Sequence, residues 1–229
     1  MNNTRSAGRI AQNIVRLPIR AARSMARRFD PNYDLERQAK ALPGRIGAQR
    51  LAQLQAIPGR CSERECRLVA HLATMAPSGG EIVEIGAFKG RVTGWLVEAA
   101  QMRPDHPAVA SIDPHGWGTR LDFEKTVAEL GLADRGLRVH YADSRELGRT
   151  WSTPIIFLWI DGSHEYDDVR QDIANFTPFV VREGLIAFDD SAGGTFPEVE
   201  RAITEWEAGH SNFKRIATLR NVAVFRRVA

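Results

Sequence analysis

The densest run of reactive side chains is Asp161-Gly162-Ser163-His164-Glu165-Tyr166, followed downstream by the adjacent pair Asp189-Asp190. Three carboxylates gathered in one cleft repel unless they are protonated, kept apart or bridged by a cation. Hard oxygen donors with open positions suit Mg2+, Mn2+ or Ca2+. Asp161, Asp189 and Asp190 are therefore the expected cation ligands. Two alternatives stay open: Asp161 caps the helix that follows it, and only one of the Asp189-Asp190 pair points inward. Neighbouring residues on an extended chain face opposite ways, so Asp190 joins the site only if the chain bends after Phe188. His164 is a candidate general base, or it serves only to hydrogen-bond backbone or ligand.

A second group lies upstream. Glu84-Ile85-Gly86-Ala87-Phe88-Lys89-Gly90 ends an apolar run in a turn with glycines four apart. Gly86 lets backbone pass close to a ligand, and Gly90 lets the next helix begin near the strand. Neither a Gly-x-Gly-x-x-Gly fingerprint nor a Gly-Lys-Ser/Thr phosphate loop is present. Asp113, after the next apolar run, can accept two hydroxyl hydrogen bonds from a ribose, or hold the turn before Pro114. Asp143-Ser144 leaves room for an adenine ring and an acceptor for its amine, or caps the helix at Arg145. Trp117 sits just past Asp113 and is placed to stack on adenine or line an acceptor pocket; His115 shares that loop.

The elements that position these residues alternate. Apolar runs at Glu81–Ile85, Ala108–Asp113, Leu137–Tyr141, Ile155–Ile160 and Gly184–Phe188 read as strands. Helical stretches at Arg91–Gln101, Leu121–Leu130, Tyr166–Phe176 and Pro197–Ala208 separate most of them. Ser62-Glu63-Arg64-Glu65 is a capping box that opens an earlier helix through Met75. Phe213–Leu219 and Asn221–Arg227 read as a closing hairpin. Buried strands alternating with helices imply a parallel sheet covered on both faces, with ligands at the carboxyl ends of the strands. Acid stands at four of those five ends, a pattern suited to a cationic or polyhydroxylated ligand or a metal.

The chain has 229 residues, 43% of them apolar, enough for one sizeable core. Two cysteines, Cys61 and Cys66, exclude a disulfide scaffold and a Cys-rich zinc module, and read as free thiols in a reducing compartment. No apolar run reaches the roughly 20 residues of a membrane span. The net charge of +3 conceals an asymmetry: residues 1–50 hold eleven Arg and Lys against three acids, and the rest twenty against twenty-five. Residues 1–60 are accordingly read as a basic arm with short helices, and 61–229 as the ligand-binding domain. The arm packs on the body or a second subunit, touches an anionic membrane surface, or serves as a transit peptide. With no aromatic before Phe29, it gives no reason to expect nucleic acid. The location expected is cytoplasmic, peripheral at the membrane if the arm binds lipid.

The order Glu84-Ile85-Gly86…Gly90, Asp113, Asp143-Ser144, Asp161-Gly162-Ser163-His164-Glu165-Tyr166, Asp189-Asp190 resembles class I S-adenosylmethionine-dependent methyltransferases. More narrowly it resembles the bacterial cation-dependent O-methyltransferases related to catechol, cephalosporin and macrolide enzymes. The resemblance spans about residues 62–229 and implies an α/β, three-layer Rossmann-like fold. Its seven-stranded, mostly parallel sheet would have the order 3-2-1-4-5-7-6, with the last strand antiparallel. It implies that Glu84 and Gly86 face the methionine part of the donor, Asp113 the ribose, and Asp143 with Ser144 the adenine; Gly90 in the glycine turn and Trp117 in the loop after Asp113 complete the expected donor site. Asp161, Asp189 and Asp190 would hold Mg2+ or Mn2+, with Asp161 and His164 acting on a small hydroxylated or sugar-containing acceptor. Many relatives carry Asn where Asp190 stands. Two other functions compete with this one. A NAD-dependent oxidoreductase is opposed by the missing glycine fingerprint and the final hairpin. A non-catalytic methyltransferase-like module is opposed by the intact acidic cluster.

Overall fold

A computed structural model of the chain describes residues 31–229. Reading from the amino end, α1 spans Pro31–Ala41 and α2 Ala48–Ala56, before α3 at Glu63–Met75. Next come β1 (Glu81–Ile85), α4 (Arg91–Gln101), β2 (Val109–Ile112), α5 (Arg120–Glu129), β3 (Leu137–His140) and α6 (Ser144–Gly148). The chain continues through β4 (Ile155–Ile160), α7 (Tyr166–Phe176), β5 (Val180–Phe188) and α8 (Pro197–Gly209) to β6 (Phe213–Leu219) and β7 (Val222–Arg227). The sheet order is β3-β2-β1-β4-β5-β7-β6. β1 to β5 pair in parallel, and β7 runs antiparallel to both β5 and β6. The architecture is the one the resemblance implies.

Alternation within the strands divides the core between two faces. Ile82, Phe157, Trp159, Leu185 and Ala187 pack against α3 and α4. Val83, Ile85, Leu158, Ile160, Ile186 and Phe188 pack against α7 and α8, where Val169, Ile173, Ile203 and Trp206 are buried. β5 begins four residues earlier than its apolar run indicates. Pairing steps from Ile155–Val180 to Phe157–Leu185, and Glu183 takes φ 63°. Such a bulge hides a strand start inside the polar pair Arg182-Glu183.

Residues 31–60 are not set apart from the core. Leu35, Leu42, Ile46, Leu54 and Ile57 are buried in the same cluster as Leu72 and Trp95. Gly94 on α4 makes that contact close, since a Cβ there would stand 2.7 Å from Ile57 Cδ1. The basic residues before Pro31 lie outside the described residues. Among the described residues no helix is long and apolar enough to cross a membrane.

Candidate active site

The parallel register brings the strand ends to one edge. The amide of Gly86 bonds Ile112 O at 2.9 Å, Asp113 bonds His140 O at 3.1 Å, Asp161 bonds Ile85 O at 2.9 Å, and Asp189 bonds Ile160 O at 3.0 Å. Gly86 (φ 93°) is required here: a Cβ would sit 2.0 Å from Asp161 O. Gly90 (φ 86°) starts α4 while packing on Phe123 and Thr126 of α5. Both glycines thus occupy backbone that L side chains rarely adopt.

On the β1–β3 side, Glu84 is fully buried. Its Oε2 accepts from Thr93 Oγ1 (2.6 Å) and Ser111 Oγ (2.7 Å), while Oε1 has no protein partner. Burial pushes its carboxyl up to about 7. Asp113 accepts the Phe88 amide on Oδ2 (2.7 Å) and the His115 amide on Oδ1 (2.6 Å). It therefore fixes both ligand-facing loops, and a lone pair on each oxygen is left over. Asp143 caps α6, accepting the Arg145 amide at 2.8 Å, and pairs with the Arg145 guanidinium, which holds it below the usual carboxylate range. Ser144 turns toward α7, donating to buried Asp172 at 2.6 Å. Trp117 is 79% exposed, with the Arg60 guanidinium 5.2 Å from its ring and 5.5 Å from that of Phe88. His115 is tucked beneath the loop, its Nδ1 2.9 Å from Thr119 Oγ1.

On the β4–β5 side the carboxylates converge. Asp161 does not cap α7, whose first turn begins after Glu165. It stands beside Asp189, and burial plus that neighbour raise its carboxyl well above the ordinary range. Asp189 is itself raised to about 7, chiefly by burial. Asp190 adopts φ 50°, the bend needed for it to face the cleft. Its Oδ2 lies 3.0 Å from His164 Nε2, and His164 stacks on Phe196 with ring centroids 3.9 Å apart. Asp161, His164, Asp189 and Asp190, with Gly162, Ser163 and Val199, line a small pocket.

Three contributors were missed in the sequence. Cys61 places Sγ 3.2 Å from Asp161 Oδ2 and 3.5 Å from Asp189 Oδ2. Asn221 donates to Asp189 Oδ1 at 2.8 Å. Arg60 covers the Phe88–Trp117 loops. Asn221 was deducible once β7 is paired: Ala223 faces Phe188, which sets the hairpin turn beside Asp189. Cys61 and Arg60 carry no such signal, because nothing local says where the segment before α3 crosses the sheet edge.

Residues 83–191 match the model of a methyltransferase domain family. No curated protein sequence matches the chain. Among solved structures, the chain is similar to the O-methyltransferase TomG from Streptomyces achromogenes, involved in tomaymycin synthesis and solved in complex with S-adenosylmethionine. The identity is 16%, the match covers 82% of this chain and 94% of TomG, and the TM-score is 0.63. It is similar to CalS11, a TDP-rhamnose 3′-O-methyltransferase of calicheamicin biosynthesis (15%, 86% and 92% covered, TM-score 0.60). It is also similar to the O-methyltransferase NovP (15%, 87% and 100% covered, TM-score 0.58). Residues 83–191 thus match a methyltransferase domain, and the 3-2-1-4-5-7-6 sheet gives the chain a fold similar to that of the O-methyltransferases TomG and NovP.

Proposed function

We propose that this protein transfers the methyl group of S-adenosylmethionine to a hydroxyl of a small hydroxylated or sugar-containing acceptor, assisted by a divalent cation, Mg2+ or Mn2+. The observation that carries the reading is the convergence of Asp161, Asp189, Asp190 and His164 at the sheet edge that also bears Gly86 and Asp113. That TomG and CalS11 are O-methyltransferases, the latter acting on a sugar nucleotide, supports the choice of reaction and acceptor class.

The residues present fit the donor. Glu84 offers a buried, unpartnered Oε1 to the amino group of the methionine part. Asp113 keeps free lone pairs for the ribose hydroxyls, and the Asp143 and Trp117 loops flank the adenine side. They also fit a cation: Asp161 and Asp189 are buried like charges, and each favours its ionised form only when a positive charge joins them. Bound there, the cation would lower the pKa of an acceptor hydroxyl and fix its direction.

Methyl transfer from a sulfonium is an in-line displacement, so the acceptor oxygen must be held close to the methyl carbon. Asp161, Asp189 and Asp190 orient the acceptor end of the cleft, and Asn221 orients Asp189. His164, with Nε2 directed at Asp190, keeps Nδ1 as the ring nitrogen able to take the hydroxyl proton. The acidic edge also favours the cationic donor over its neutral product. The test is calorimetry with S-adenosylmethionine, and turnover with labelled donor, each with and without Mg2+ or Mn2+. Asp161→Asn should lower turnover at least about 100-fold while donor affinity changes little. Full activity in chelator, with bound metal verified as zero, would refute the cation and leave His164 to activate the acceptor alone.

A further inference from the structure

The carboxylate centre contains a sulfur donor that the proposed reaction does not use. Single ligand atoms of Cys61, Asp161 and Asp189 lie within 4.8 Å of one another, as do those of Asp161, His164 and Asp190. Two donor sets therefore share Asp161. We propose that Cys61 is a further ligand of the cation at this centre, so that the site, besides accepting the Mg2+ or Mn2+ of the proposed reaction, binds the thiophilic ions Zn2+ and Co2+ more tightly than Mg2+. The inference rests on the cation reading above and deepens it.

Position supports it first. Cys61 directly precedes Ser62, the N-cap of α3, whose capping box is closed in both directions (Glu65 amide to Ser62 Oγ at 3.3 Å, Ser62 amide to Glu65 Oε2 at 2.6 Å). The thiol is thus delivered by a rigid helix start and is 8% exposed. Spacing supports it next. Bonds of about 2.3 Å to sulfur and about 2.0 Å to oxygen put tetrahedral donors about 3.5 Å apart. The two sulfur–oxygen distances are 3.2 and 3.5 Å. Chemistry then selects the ion. A thiolate is a soft ligand that suits zinc and cobalt, whereas Mg2+ takes oxygen donors and keeps its waters. Coordination is balanced without a redox change: the S–H bond breaks, its proton leaves to solvent, and the sulfur electron pair forms the bond to the ion. Cys66, the other thiol, is buried on α3 and belongs to neither donor set.

The test uses the full chain stripped of metal and titrated with Co2+. The wild type should develop the near-ultraviolet sulfur-to-cobalt charge-transfer band. Cys61→Ser, checked for folding by circular dichroism, should lose the band and bind Co2+ at least about tenfold more weakly, with Mg2+ affinity little changed. Should that variant not fold, zinc-edge X-ray absorption of the wild type answers the same question, with a sulfur neighbour near about 2.3 Å expected. Cobalt bound without the band, with zinc surrounded by oxygen and nitrogen alone, overturns the role of Cys61 and leaves the cation reading standing. No binding of Co2+, Zn2+ or Mg2+ overturns the cation reading, and this inference with it.

Discussion

At the scale of single residues, most of the site is built from groups that do two jobs. Asp113 binds the backbone amides of Phe88 and His115, so it shapes the two loops that would face the donor before any ligand arrives. Asp113→Ala should weaken S-adenosylmethionine binding by about 1.5–3 kcal/mol, a factor of roughly 10 to 150, since charge-assisted hydrogen bonds are lost. Titration calorimetry on the folded variant checks this, and an unchanged affinity would remove Asp113 from the ribose role. Asp172 offers a second reading at this scale, away from the cation centre. It is buried, accepts from Ser144, and is pushed up to about 6 by burial. Its folded pKa lies above the ordinary carboxylate value, so the protonated form is the one folding favours. Stability from this group is complete below about pH 4 and is lost as pH rises through about 6. Asp172→Asn should flatten that fall, which is of order 2–3 kcal/mol, and denaturation midpoints measured from pH 4 to 7 would reveal it.

At the scale of elements, the β1–α4 turn holds the most exacting constraint. A Cβ on Gly86 would meet the Asp161 carbonyl at 2.0 Å, and φ 93° adds backbone strain. Gly86→Ala must therefore push β1 and β4 apart at the point where the proposed donor and cation sites adjoin. The expected result is loss of donor binding together with a stability loss of more than about 2 kcal/mol. Thermal denaturation and donor titration on the same sample would check both, and a variant with wild-type values would show that the two strand ends have room to spare. The hairpin β6–β7 matters in the same way, because its turn supplies Asn221 to Asp189.

At the scale of the whole molecule, α1 and α2 belong to the core of the sheet-bearing body. Leu35, Leu42, Ile46, Leu54 and Ile57 are each at most 8% exposed. At roughly 1.5–3 kcal/mol per side chain, their burial rivals the entire 5–15 kcal/mol stability of a typical domain. Deleting residues 1–57 should abolish cooperative unfolding and soluble yield; a well-folded truncated protein would refute that account. What the sequence determined alone was local and periodic. The alternation of apolar runs with helical spacing led to the parallel sheet, and the rule that ligands sit beyond the carboxyl ends picked out Gly86, Asp113, Asp161 and Asp189. The capping box at Ser62 and the closing hairpin were likewise legible, because each is written in a few adjacent residues. What only the tertiary structure decided were relations between distant segments. Whether Asp143 faces a ligand or its own helix depended on the Arg145 guanidinium folding back on it. Whether Asp190 could turn inward depended on a φ of 50° after β5. Cys61, 100 positions from Asp161 in sequence, meets it because the segment leading into α3 lies at the carboxyl ends of β4 and β5. Such proximity arises from the packing of whole elements against one another, and no local pattern of residues encodes it.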